Sequence, residues 1–260
     1  MTDIDLCYLA ATDALKRFKA KTLSPVELLD ELIKRAGEVE PQINALTFRH
    51  FDEAREKAKT AEHKYATGKR TRPLEGLPIG IKDENFIKGK PTSSGSLIMK
   101  DFVADRTSVG NERIMRAGGI VHARTATPEF SSAAYTNSRL WGVTRNPWNP
   151  EFTPGGSSGG SAASLAAGTS ALATGSDIGG SIRIPAGTCG LVGYKPPYGR
   201  NSDDSPFNLD FYCHTGPLAR SVSDAVLLQN VLSGPHPQDI ASLRPKLRLP
   251  TDYPPIKDWK

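Results

Sequence analysis

Cysteine is scarce. Three thiols, Cys7, Cys189 and Cys213, in 260 residues form no disulfide framework, and their spacing fits no zinc site. They are expected to be buried or half-buried free thiols, which makes the cytoplasm the default compartment. The histidines His50, His63, His122, His214 and His236 show no metal-binding spacing, so no metal and no cofactor is expected. No apolar run approaches the eighteen or so residues that a bilayer span needs, so no membrane association is expected. The N-terminus, Met1-Thr2-Asp3-Ile4-Asp5, is acidic where a secretory signal is basic. A P-loop is missing, and so is a GxGxxG between strand and helix. The net charge of +5 comes without a dense Lys/Arg block, so no direct nucleic-acid partner is expected.

What is present is ordinary globular composition, 38% hydrophobic and 23% charged, which argues against disorder along the whole chain. The 24 glycines and 20 prolines are concentrated in a few places, which marks special backbone rather than low complexity. The first third reads helical, with Leu6, Leu9, Ala10, Ala14 and Phe18 at helical spacing. Ser24-Pro25-Val26-Glu27 carries an N-cap, a proline at the first helical position and a capping-box glutamate. Val26, Leu29, Leu32 and Ile33 form the stripe that follows. A third helix over Phe51 to Tyr65 is charge-rich and expected to be mostly exposed.

From Leu74 the pattern changes. Leu77 to Lys82 reads as a buried strand ending in lysine. Gly110 to Ala117 reads as a helix and Ile120 to Ala123 as a strand. Ser161 to Ala167 and Ser221 to Leu232 read as helices, Ala171 to Thr174 and Leu191 to Tyr194 as strands. The alternation predicts an α/β fold with a largely parallel sheet. Three stretches follow: a helical region 1–70 packed on the core, a core 71–234, and a Pro-rich extended tail or linker 235–260.

Two Gly/Ser segments stand out, Thr153 to Ser161 and Gly175 to Arg183. A flexible linker fits the first by composition, but a small-residue helix follows it at once, and Ile178, Ile182 and Arg183 are not linker residues. A nucleophile elbow matches Gly155 to Gly159 formally, yet needs a strand directly before it. Asn146-Pro147-Trp148-Asn149-Pro150 is no central strand. In the third reading both segments shape one site. Successive N–H groups around Ile178 to Ser181 form a nest for an oxyanion, and a serine beside it acts as nucleophile. Serine needs a base. No histidine is close in sequence, which turns attention to lysine.

At these residues the chain resembles the amidase signature family. Gly155 to Ala186 is similar to its Gly/Ser-rich hallmark, Leu74 to Asp83 to its lysine strand, Gly190 to Gly199 to the segment after its nucleophile, and Thr215 to Ala225 to its GPLAR-type segment. The likeness runs from about Thr22 to about Lys246. It implies a mixed, largely parallel twisted sheet covered by helices, incomplete at the C-terminus because family members are much longer. It implies a Ser–cis-Ser–Lys triad with Ser181 as nucleophile, Ser157 as proton relay behind a cis peptide bond, and Lys82 as general base. The N–H groups of Ile178, Gly179, Gly180 and Ser181 would form the oxyanion hole, and Ser158, Asp177 and Arg183 would support it. Asp177 is expected to pair with Arg183 or with loop amides. Ser131 and Ser132 either line the pocket or begin a helix, and Cys189 is expected to pack rather than react.

The implied reaction is hydrolysis of a small-molecule amide to acid and amine. One alternative is an amidotransferase A-type subunit supplying ammonia for tRNA-dependent amidation. Asp210-Phe211-Tyr212-Cys213-His214-Thr215-Gly216-Pro217 lacks the glutamine that such subunits usually carry before their GP segment, which favours the amidase. Another alternative is a truncated, non-catalytic fragment. The partner expected is a homodimer mate or a second chain that completes the fold, without which the chain is expected to be unstable or poorly active.

Overall fold

The computed structural model describes residues 3–205 and 207–251, and the end of the expected tail, 252–260, lies outside the described residues. In chain order the elements are α1 (Asp3–Cys7), α2 (Ala11–Ala20), α3 (Pro25–Ile43), β1 (Leu46–Arg49), α4 (Phe51–Ala66), β2 (Pro78–Lys82), α5 (Val109–Arg116) and β3 (Ile120–Thr125). A short hairpin of β4 (Asn137–Ser138) and β5 (Gly142–Val143) follows. The chain continues with α6 (Gly159–Ala166), β6 (Leu172–Asp177), α7 (Arg183–Cys189), β7 (Val192–Gly193), β8 (His214–Ala219) and α8 (Val222–Leu232).

The start of α3 follows from its residues. Ser24 Oγ accepts from the Val26 and Glu27 N–H groups at 3.1 Å each, and Glu27 returns a carboxylate to the Ser24 N–H at 2.7 Å. Two of the orphan donors at the helix start are thereby satisfied. Along α4, Ala54, Ala58, Ala61 and Tyr65 turn inward at helical spacing, while charged residues face outward, as the sequence predicts. The N-terminal helices are tied to the far end of the chain through Asp224 of α8. Its buried carboxylate accepts from the Ala11 and Thr12 N–H groups at 3.0 and 2.9 Å, a charge-assisted cap on α2.

The main sheet has the order β1-β3-β2-β6-β8-β7. The neighbours β3, β2 and β6 run parallel, and β1 and β8 run antiparallel to them. β7 pairs antiparallel with β8, so it points the same way as the parallel trio. The sheet is therefore mixed, with most strands sharing one direction. β2, β3, β6 and β8 are buried along their whole lengths, the pattern of strands covered on both faces. Phe18, Leu28, Leu32, Leu74, Ile79 and Ile81 meet in the largest apolar cluster, each such side chain contributing roughly 1.5–3 kcal/mol by leaving water.

The sequence expected neither β1, the β4–β5 hairpin, α7 nor β8, and the helical spacing expected through Leu9 and Ala10 breaks there between α1 and α2. β1 had no strong periodicity. α7 contains Pro185 and Gly187, but Pro185 falls in the first turn, where a missing N–H costs nothing. β8 contains Gly216 and Pro217, poor strand formers. Pro217 directs its carbonyl to the Tyr194 N–H at 3.2 Å, just past the end of the β7 pairing. In an antiparallel strand a residue's N–H and C=O face the same neighbour, so the donor that proline lacks points toward the β7 side and costs no bond to β6, with which Pro217 is in register at Thr174. Beyond α8, the residues 235–251 form no helix or named strand, yet they lie against the core. Asp239 accepts from the Asp203 N–H at 3.1 Å, and Leu249 donates to Asn230 at 2.8 Å.

Candidate active site

The site forms where β2, β6 and the two Gly/Ser segments converge. β2 is an apolar run whose last residue, Lys82, is fully buried. Its Nζ donates to Ser157 Oγ at 2.7 Å and to Ser176 Oγ at 2.8 Å, and lies 3.3 Å from Glu84 Oε2. Burial pushes the Lys82 ammonium below its ordinary value, opposed chiefly by Glu84. Burial pushes Glu84 up, but Lys82 and the hydroxyls of Ser131 and Ser176 outweigh it and hold the carboxyl low. The pair therefore combines a firmly ionised carboxylate with an amine whose proton is loosely held.

The first Gly/Ser segment enters α6 without a preceding strand, which excludes the elbow geometry. The peptide Gly156-Ser157 is cis, as the resemblance implies. Ser158, fully buried, faces away from the lysine. Its Oγ donates to the Ser176 carbonyl and accepts from the Ser176 N–H, both at 3.3 Å, pinning the segment to β6. α6 packs directly on β3: a Cβ on Gly160 would lie 2.2 Å from the Ala126 nitrogen, so only glycine fits there.

The second segment leaves β6 through Asp177. Its buried carboxylate accepts from the Gly180, Ile182 and Arg183 N–H groups and from the Arg183 guanidinium at 2.9 and 3.0 Å. Burial raises the Asp177 carboxyl, but Arg183 and these N–H groups outweigh it and hold it well below the usual carboxylate range. Asp177 thus takes both partners expected of it, the arginine and the loop amides. The turn it organises places Gly180 at φ 126°, a glycine conformation. One expectation needs correcting. The Gly180 N–H is donated to Asp177 at 2.7 Å, so it belongs to the turn and is not free for an oxyanion. The Ile178, Gly179 and Ser181 N–H groups make no such bond to Asp177.

The two segments touch: the Ser158 N–H donates to the Ser181 carbonyl at 3.2 Å. Ser157, Ser176 and Ser181 line one cavity of about 320 Å³, together with Glu84, Ser131 and Ile178. Lys82 sits behind this wall, reaching it through Ser157 and Ser176. Ser131 lines the cavity and donates to Glu84, whereas Ser132 turns back to the Glu129 carbonyl. Glu84 and Ser176 were missed by the sequence reading. Glu84 lies in the turn that follows β2, its N–H donating to the Lys82 carbonyl at 2.8 Å, so no periodicity in the sequence points to it. All three cysteines are free and buried. Burial pushes the Cys189 thiol up to about 11 and that of Cys213, on the cavity wall, up to about 12, which leaves them poor nucleophiles. Among the described residues no group of His, Cys, Asp or Glu could hold a metal ion, and no helix is long and apolar enough to cross a membrane.

A mixed α/β fold with a lysine buried against two serines behind a serine-lined cavity defines the class of protein. A family model described as Amidase matches residues 27–256, and the chain belongs to that family. The A-type subunit of glutamyl-tRNA(Gln) amidotransferase from a Synechococcus species is 40% identical over 232 residues, covering 88% of this chain and 47% of that protein. A solved bacterial aryl acylamidase of the amidase signature enzymes superposes with a TM-score of 0.88 at 35% identity, covering 93% of this chain and 51% of that one. Peptide amidase from Stenotrophomonas maltophilia does so with a TM-score of 0.83 at 30% identity, over 90% and 49%. The chain spans about half the length of the curated relatives it matches.

Proposed function

We propose that the protein hydrolyses a carboxylic amide through an acyl-enzyme on Ser181. The observation that carries this reading is the fully buried Lys82, 2.7 Å from Ser157 Oγ, with Ser157 and Ser181 on the wall of one cavity. Neutral Lys82 takes the Ser157 proton while Ser157 takes that of Ser181. The Ser181 oxygen attacks the amide carbon. The N–H groups of Ile178, Gly179 and Ser181 receive the oxyanion, which a preorganised site stabilises far more than water does. Collapse breaks the C–N bond, and the proton returns through Ser157 to the departing amine. Water, activated by the same relay, then releases the acid.

A second reading has support from the curated relatives, which are A-type amidotransferase subunits at about 40% identity. In that reading Ser181 releases ammonia from an amide for a partner enzyme. Phe211 stands after Asp210 where such subunits usually carry glutamine, which weighs toward the stand-alone amidase. The free thiols support cytoplasmic residence. The short edge strand β7 and the exposed Phe211, Tyr212 and Trp148 support a second chain or a second copy as partner. Ammonia release from simple amides without tRNA tests the choice. No release, together with glutamine-dependent transfer once partner subunits are added, would select the second reading.

A further inference from the structure

Among the described residues, five other than glycine have a φ in the left-handed region: Lys21, Asn44, Ser94, Phe130 and Ser131. Lys21 and Asn44 are the C-caps of α2 and α3, where that conformation is ordinary. The other three surround the end of β2. Ser94, at φ 47°, donates its N–H to the Asp83 carbonyl at 2.9 Å, and its own carbonyl accepts from the Phe130 N–H at 2.8 Å. Phe130 and Ser131 follow one another at φ 50° and 57°, a pairing that their Cβ atoms disfavour. Such backbone persists only where its surroundings impose it, and it gathers at functional sites.

The turn directs the Ser131 hydroxyl at Glu84. It donates to Glu84 Oε2, the same oxygen that lies 3.3 Å from Lys82 Nζ. With its one proton spent there, it accepts from Thr127 Oγ1 at 2.9 Å. Glu84 Oε1 has no hydrogen-bond partner, so the carboxylate is held through Oε2 alone. An unrestrained ammonium–carboxylate pair closes to about 2.7–2.9 Å, and Ser131 keeps this one apart.

We propose that Ser131 is a positioning residue: anchored through Thr127 and the Ser94 carbonyl, it holds Glu84 back from Lys82 and so leaves the lysine able to give up its proton. That Lys82 is the base rests on the hydrolysis reading; the chain of contacts does not. Asp177 and Cys213 also act on Lys82, and Asp203, Cys213 and Arg124 on Glu84. Among the described residues none of these hydrogen-bonds to Ser131, so they keep their places when it is replaced.

NMR titration of the chain labelled with ε-13C lysine reads the Lys82 ionisation without substrate, its signal being the one missing from Lys82→Met. In Ser131→Ala and Ser131→Gly the midpoint should move to higher pH by about half a pH unit or more, because Oε2 is free to close on the ammonium. Glycine suits left-handed backbone, so Ser131→Gly carries the test if Ser131→Ala unfolds in a thermal melt. With Glu84→Gln in place the same replacements should move the midpoint no further. A midpoint that stays or falls in the Ser131 variants, or that rises equally in the Glu84→Gln background, overturns the proposal. The acid limb of kcat/KM should follow the NMR midpoint. A midpoint that rises while the limb stays would instead overturn the hydrolysis reading and leave the positioning role standing.

Discussion

Replacing Ser157 by alanine separates a catalytic hydroxyl from a structural one. Ser157 is buried, and its Oγ accepts from Lys82 at 2.7 Å. The substitution removes one hydrogen bond but does not orphan the lysine, which keeps Ser176 at 2.8 Å and Glu84 at 3.3 Å. The stability cost should therefore be that of one net hydrogen bond, about 1 kcal/mol, which lowers the melting temperature by about 2–4 °C in a protein of this size. The rate cost is different in kind, because the proton path from Ser181 to Lys82 is cut. General acid–base transfer contributes about 10²–10⁴-fold, or roughly 3–5 kcal/mol of activation free energy. The assay pairs kcat/KM for an amide with a thermal melt, using Ser176→Ala as control. That control removes a bond of the same length to the same lysine, so it should cost similar stability and less rate. Activity of Ser157→Ala within tenfold of the parent, or an equal loss in Ser176→Ala, would refute the relay.

Three further outcomes follow from the same geometry. Because Lys82 must be neutral to act, the rate should rise with pH through an ionisation below the ordinary lysine value of 10.5. Glu84 holds that ionisation up, so Glu84→Gln should move the acid limb of the kcat/KM profile to lower pH, and a shift the other way would contradict the pairing. Asp177 is held below its ordinary 3.8 in the folded state, so its contribution to stability is full above that pH and fades as pH falls through the depressed folded value. Asp177→Asn should be less stable at neutral pH and should lose less stability on acidification than the parent, as measured by urea unfolding between pH 2 and 7. Ser24→Ala removes the capping box of α3 and should cost about 1 kcal/mol with activity unchanged; unchanged unfolding in urea would remove the cap from the account.

The parts that could be read from sequence are those set by local chemistry. Ser24-Pro25-Val26-Glu27 specifies its cap through side chains three residues apart, and the structure keeps it. The apolar run before Lys82 announced a buried strand with a charge at its end, and the lysine is buried as that implies. Elements whose stability is tertiary were not legible. β8 is a strand because β6 and β7 flank it and because the donor that Pro217 lacks points away from β6, facts absent from its own six residues. α7 forms because Asp177 gathers the N–H groups of Ile182 and Arg183 at its start, and that same carboxylate withdraws the Gly180 N–H from the expected oxyanion nest. Glu84 was overlooked for a related reason: two residues past Lys82, it gains meaning only when Ser131 and Ser176 fold around it.

The central claim is that Ser181, activated through Ser157 and Lys82, forms the covalent intermediate. Intact-mass and peptide mapping after exposure to a fluorophosphonate, which labels activated serines, tests it without knowledge of the substrate. The account predicts one adduct per chain on Ser181, absent in Ser181→Ala and strongly slowed in Lys82→Met. Labelling at another residue, or equal labelling of Lys82→Met, would contradict it.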